Sequence, residues 1–367
     1  SMFIDFILKY VNVSENRKIL DIAAAPGGKS IIIDSLISDN SILWANDVNS
    51  NRAKVLEYNL VKWGRANYIV SNAKIDDFND LKNQFDIVLL DAPCTGSGFF
   101  RKYQEWQDNF SLDYINQCVK RQKDILKKVF DIIPMDGYLI YSTCSFTSEE
   151  NEDIAKWIID NGFEEIKLQI PAEWGIVVSE YGYRFFPHLS KSEGFYYAVF
   201  KKNNFKSEFK QINHLNKKNL TPIKLTPINK PANVNYINLT EDLKLKKWGQ
   251  NINLITQKID EWFDKDFIYF NGKILTIGIN YMEEKKQVPS PQFALSIYKS
   301  SDIPSITLSL SEAQSYLQKS SLHIEAKEGI YLVKFQNLAL GWIKVINDGR
   351  INNYYPAEWR IIKEIDN

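Results

Sequence analysis

Two of the three cysteines in this 367-residue chain follow apolar, strand-like runs, in Asp91-Ala92-Pro93-Cys94-Thr95-Gly96 and Ser142-Thr143-Cys144-Ser145-Phe146. The carboxyl edge of an open α/β sheet is where ligands bind, so two thiols there suggest a paired-thiol active site. Thiolate addition at carbon 6 of a pyrimidine turns carbon 5 into an enamine-like nucleophile able to accept a methyl group. The thiolate is the attacking species, which calls for positive charge or hydrogen-bond donors beside it. Lys29, Arg101 and Lys102 are the cations nearest in motif context. Asp91 suits the N3 edge of the ring, where charge develops. Cys118, inside an amphipathic stretch, reads as a small buried hydrophobe.

Upstream, Asp21-Ile22-Ala23-Ala24-Ala25-Pro26-Gly27-Gly28-Lys29 reads as a nucleotide-cradling turn after a first strand. It is not the dinucleotide G-x-G-x-x-G pattern. Asp47, about 20 residues on at the end of a second strand, suits a ribose diol.

These residues need a frame of alternating strands and helices. Strands are expected over 18–22, 41–46, 68–70, 85–90 and 137–141, with helices over 29–36, 50–63, 112–133 and 149–161. The run Phe85–Leu90 has the continuous apolar character of a strand buried on both faces. Further strands are expected over 164–169 and 195–201. Repeated βα units of this kind mean a doubly wound, Rossmann-like parallel sheet. Beyond a break in the rhythm, a helix over 243–263 and strands over 274–281, 292–298, 331–335 and 340–346 read as a smaller α+β module.

Composition narrows the function classes. Lys and Arg number 45 and Asp and Glu 45, so net charge is zero and does not by itself predict nucleic-acid binding. Locally, eight lysines lie between Lys201 and Lys230 against one acid, Glu208. This segment reads as a solvated basic linker able to meet phosphate. No window approaches the ~20 apolar residues of a membrane span. Three cysteines fit a reducing cytosol rather than a disulfide framework, and the three histidines lack metal-ligand spacing. A cytoplasmic monomer without metal is expected.

At the loop Ala24–Lys29 and the motifs Asp91–Cys94 and Thr143–Ser145, the chain resembles the Sun/nucleolar-protein family of S-adenosylmethionine-dependent RNA 5-methylcytosine methyltransferases. Within it the resemblance is to the RsmF-type ribosomal RNA branch. The resemblance implies that Cys144 is the nucleophile at carbon 6 and that Cys94 assists product release. It implies that Ala23, Ala24, Ala25, Pro26, Gly27, Gly28, Lys29 and Asp47 hold S-adenosylmethionine, with Asp91 between donor and base. Arg121-Gln122 and Arg184–His188 also match, although His188 after a proline reads by itself as a turn residue. Lys74 stands where the family carries an adenine-reading Asp, leaving Asn72 or Asp76 for that contact. The resemblance further implies residues 1–203 as catalytic domain, 204–235 as linker, and 236–367 as an RNA-binding module, PUA-like at its end. There, Trp342, Tyr354 and Tyr355, interleaved with Lys344 and Arg350, are expected to stack on unpaired bases. The start at Ser1-Met2-Phe3 reads as the middle of a segment joining an N-terminal RNA-binding region, so a fragment is expected. The implied function is cytosine-C5 methylation of RNA, with ribosomal RNA the expected target. Alternatives are a DNA cytosine methyltransferase using Cys94 as nucleophile, or a ribosome assembly factor that binds RNA with little catalysis.

Overall fold

A computed structural model describes residues 2–13, 16–203, 223–228, 234–266, 268–283 and 288–362. Most of the basic segment read as a linker, 204–222 and 229–233, lies outside them. The chain divides into two compact units. The first comprises Ser1–Leu56, Tyr68–Ile223 and Asp266–Leu275; the second comprises Glu57–Asn67, Lys224–Lys265 and Thr276–Asn367.

In the first unit, α1 (Phe3–Tyr10) precedes an alternating series. It runs β1 (Lys18–Asp21), α2 (Gly28–Leu36), β2 (Ile42–Asn46), α3 (Ser50–Trp63), β3 (Tyr68–Asn72), β4 (Ile87–Asp91), α4 (Leu112–Ile132), β5 (Tyr138–Thr143) and α5 (Glu152–Asp160). The five strands pair in parallel in the order β3-β2-β1-β4-β5. Every residue of β2 is buried, as are the first four of β4, which is why both read as unbroken apolar runs. The order reverses between β1 and β4. At such a switch point neighbouring loops diverge and leave a crevice beyond the strand ends.

The sheet is not parallel throughout. After α5 come β6 (Phe163–Glu165), β7 (Val177–Val178), β8 (Tyr183–Phe185) and β9 (Phe195–Lys202). β9 runs antiparallel to β5, β6 and β8, and β8 antiparallel to β7. A parallel neighbour would require a crossover back over the sheet face; β8 reaches β9 through a short loop and pairs antiparallel instead.

Helix α4 starts at Ser111, whose side chain accepts the Tyr114 N–H at 3.2 Å, and stops before Pro134. It buries Ile115, Cys118, Leu126 and Val129. Cys118 is thus a core side chain, as its place on the stripe predicts.

The second unit holds β10 (Thr226–Pro227), β11 (Leu243–Trp248), β12 (Asn251–Thr256) and most of α6 (Gln257–Asp266). After β13 (Lys273–Ile277), whose first three residues belong to the first unit and which adjoins β3, come β14 (Ile279–Glu283) and α7 (Pro291–Leu295). The chain continues through β15 (Ser305–Thr307), α8 (Leu310–Gln318), β16 (Gly329–Phe335), β17 (Leu338–Val345) and β18 (Ile351–Asn353). Two four-stranded sheets result, β10-β11-β12-β14 and β15-β16-β17-β18.

Three expectations are corrected here. The helix expected over 243–263 is a β-hairpin followed by a helix, because Leu243 and Leu245 alternate with lysines and Gly249, at φ 60°, makes the turn. The strand expected over 292–298 is largely helix α7, capped by the Ser290 side chain and begun by Pro291. Trp342 is fully buried, its indole N–H donating to the Ser290 carbonyl at 2.8 Å, and Tyr355 is buried as well. These two aromatics fill cores and offer no face to a base.

Candidate active site

The crevice predicted by the switch point is a cavity of about 790 Å³. Each parallel strand sends residues to it: Ala23 after β1, Asp47 after β2, Asp91 and Cys94 at the end of β4, and Cys144 after β5. Lys74 and Asp76 after β3, Trp106, and Arg121 of α4 complete the wall.

One side is built from a turn and backbone contacts. Gly27 takes φ 110°, a left-handed conformation open to glycine, and starts α2 directly. The Ala24 N–H donates to the Asn46 carbonyl at 2.8 Å, tying the turn to β2. Arg52 donates to the Ala25 carbonyl at 2.7 Å and lies 3.4 Å from the Asp47 carboxylate. That carboxylate also accepts the Asn49 N–H at 2.9 Å. Of the predicted donor residues, Ala23 and Asp47 line the cavity, whereas Ala24, Ala25, Pro26, Gly27, Gly28 and Lys29 shape the turn behind it. Asn72 laces the loop, donating to the carbonyls of Asp47 and Val48 at 2.8 and 3.0 Å. Asp76, not Asn72, is on the wall, held by Lys128 at 2.5 Å. Beneath the turn, burial pushes Asp21 up to about 7 despite a 2.6 Å bond from Ser30.

The other side carries the sulfurs. Cys94 Sγ and Cys144 Sγ stand 2.9 Å apart, and the Cys144 N–H donates to Cys94 Sγ at 3.2 Å. The hydrogen bond with Cys144, and then burial, hold the Cys94 thiol well above its ordinary value. Asp91 accepts from Lys29 at 2.6 Å and from the Ser142 hydroxyl at 2.7 Å. Burial works against the charge on Lys29, yet Asp91 and Tyr197 more than offset it and hold Lys29 above its ordinary value. The Gly98 N–H donates to the Cys144 carbonyl at 2.8 Å, and the Gly194 N–H to the Gly98 carbonyl at 3.0 Å.

The three cations expected to activate a thiol are engaged elsewhere: Lys29 with Asp91, Arg101 with Glu193 at 2.9 Å, and Lys102 over the Tyr103 ring. Donors take their place, in the form of the Cys94–Cys144 pair itself. His188 is exposed in a turn and does not line the cavity. Among the described residues, no group of three or more His, Cys, Asp or Glu is arranged to hold a metal ion.

Motif reading missed Glu150. It is fully buried and accepts hydrogen bonds from Thr95, Ser145, Thr147 and Gln122. A detectable signal was present: each wall cysteine is followed by a hydroxyl residue, Thr95 or Ser145, which needs a buried acceptor.

Known proteins place this arrangement. The chain is 32% identical over 228 residues to the human 28S rRNA (cytosine(4447)-C(5))-methyltransferase, covering 57% of this chain and 27% of that protein. It is 26% identical over 364 residues to ribosomal RNA small subunit methyltransferase F of Citrobacter koseri, covering 93% of this chain and 73% of that one. A solved methyltransferase homolog from Pyrococcus horikoshii is 29% identical with TM-score 0.47, covering 54% of this chain and 66% of that chain. The chain spans about a quarter of the length of the mouse and human relatives and 41% of a Vibrio atlanticus one. The RsmF PUA domain of methyltransferases matches residues 304–361, which hold β15 to β18. The family described as 16S rRNA methyltransferase RsmB/F matches residues 8–201, more than half of the sequence and the whole of the cavity wall, and the chain belongs to that family.

Proposed function

We propose that this chain methylates carbon 5 of a cytosine in ribosomal RNA, taking the methyl group from S-adenosylmethionine. The observation that carries this is the 2.9 Å approach of two sulfurs on a wall shared with the carboxylates of Asp47 and Asp91. The cavity's volume lies in the range of nucleotide-sized ligand sites. Asp47, at the end of β2, suits the ribose diol of the donor, and the Ala23 backbone suits its main chain. Asp76, which lines the cavity beside Lys74, is the residue left to contact the donor's adenine. When bound, the donor supplies a sulfonium methyl group.

The protein's own groups do the rest. The Cys144 sulfur forms a bond to carbon 6, and the ring's electron density moves to carbon 5, which takes up the methyl group. Asp91, held by Lys29 and Ser142, faces the N3 edge and stabilises charge there. On release the carbon 5 proton passes to water, the pair it leaves restores the carbon 5–carbon 6 double bond, and the carbon 6–sulfur bond breaks with its electron pair returning to Cys144. Cys94, kept as a thiol by its hydrogen bond, donates a proton to the departing sulfur. The target base must leave its stack, because carbon 6 inside a duplex is out of a thiol's reach. The match of residues 8–201 to a ribosomal RNA methyltransferase family argues against the DNA-type alternative.

Separate Cys144→Ser and Cys94→Ser variants test this. Incubation with ribosomal RNA and donor, followed by denaturing electrophoresis, should show no turnover and no adduct for Cys144→Ser. Cys94→Ser should accumulate a covalent protein–RNA species. The reverse pattern makes Cys94 the nucleophile, and absence of transfer by the unaltered chain refutes the activity.

A further inference from the structure

The β4–β5 ladder ends with the pair Asp91 and Ser142, yet the two sulfurs that meet lie beyond it. Past the last rung, the Gly98 N–H on the Cys144 carbonyl and several side-chain bonds set their spacing. The Thr95 N–H donates to Glu150 Oε1 at 2.9 Å and the Thr95 hydroxyl to Oε2 at 2.6 Å. The Ser145 hydroxyl donates to Oε2 at 2.6 Å and the Thr147 hydroxyl at 2.9 Å. Gln122 of α4 donates to Oε1 and to the Pro93 carbonyl, each at 3.1 Å. The Glu150 carbonyl accepts from Tyr141 of β5 at 2.8 Å. One buried acceptor therefore grips the residue after each cysteine, together with the helix that backs them.

We propose that Glu150 is a positioning residue for the thiol pair, holding Thr95 and Ser145 so that Cys94 and Cys144 meet at reaction distance. This deepens the methyl-transfer proposal and rests on it for the catalytic consequence. A carboxylate only accepts, and it is wide enough to take donors from two loops at once. A glutamine has the same shape but replaces Oε2, which accepts from three hydroxyls, with an N–H₂ that can donate to only two, so at least one grip is lost.

The test uses the whole chain with Glu150→Gln and, separately, Thr95→Val. Diamide oxidises two neighbouring thiols to a disulfide, taking up two electrons and two protons to become a hydrazine. The Cys94–Cys144 link is then read by mass spectrometry. The unaltered chain should cross-link readily, and both variants about tenfold more slowly, while keeping their cooperative thermal transition. Their kcat for RNA methylation should fall ~10- to 100-fold, with KM for donor and RNA within about twofold. A folded Glu150→Gln protein with unaltered cross-linking and kcat overturns the proposal. So does a parallel loss of donor affinity, which marks general damage to the cavity. If Glu150→Gln fails to fold, Thr95→Val, which removes one hydroxyl, decides. Should the unaltered chain cross-link but methylate no RNA, the activity is refuted, and the cross-linking rates still decide the role of Glu150.

Discussion

The two sides of the cavity are held in different ways. On the donor side, Asp47 is fixed by Arg52 and a backbone N–H, and the glycine turn by carbonyl contacts to β2 and Arg52. Arg52 is 58% exposed, whereas its partner Asp47 is only 2% exposed. On the thiol side, a fully buried carboxylate joins two loops and a helix through hydroxyl, amide and backbone donors. A single half-exposed ion pair tolerates change more readily than a buried polar network held by several hydrogen bonds at once. A site organised in this way separates binding from reaction. On the proposed reading, changes beside Asp47 are expected to act on affinity and changes on the thiol side on turnover.

The sharpest attempt to break that separation is Gly98→Ala. A β-carbon there would meet the Gly194 carbonyl oxygen at 2.3 Å and the Cys144 carbonyl oxygen at 2.8 Å, so backbone must shift under the nucleophile. Single-turnover transfer should drop ~100-fold or more, with donor affinity nearly intact. Next is Asp47→Asn, which weakens a charge-assisted contact to the donor. Calorimetry should show donor affinity down about tenfold, with kcat at saturating donor within about twofold. A large fall in kcat would mean that the two sides are coupled.

The smallest effect concerns Asp21. Its carboxyl is pushed up to about 7 in the folded chain from an ordinary value of 3.8. The folded state therefore holds a proton that the unfolded state releases first. The stability this provides is full below pH ~4 and is lost as pH rises through about 7. Melting temperature should decline across that window by a few degrees, and Asp21→Asn should flatten the decline. A profile unchanged by the substitution would mean that Asp21 does not titrate in this range.

Much of the donor side was legible in the sequence because its signals are local. A glycine pair after an apolar strand, and an acid at the next strand's end, each report their own neighbourhood. The cysteines were legible for the same reason. Glu150 was not, because its partners Thr95 and Gln122 lie 55 and 28 positions away and only the fold gathers them. The hairpin within 243–256 was missed because apolar residues spaced two apart over six positions also fit the edge of a helical stripe. Trp342 misled in another way. Its neighbours Lys344 and Arg350 suggest a surface, but both faces of β17 are covered: Trp342 packs in one core with Tyr236 and Phe293, and Ile343 in another with Tyr316 and Val333.

Phe270 packs its ring 4.9 Å from both Trp44 and Phe78, in the heart of the unit that carries the cavity. It reaches that place from well beyond residue 203, as part of Asp266–Leu275, while Glu57–Asn67 counts with the other unit. Genetic and physical boundaries therefore do not coincide in this protein. A gene cut after position 203 would deliver the cavity-bearing unit with a ring missing from its centre, and that product should be unstable.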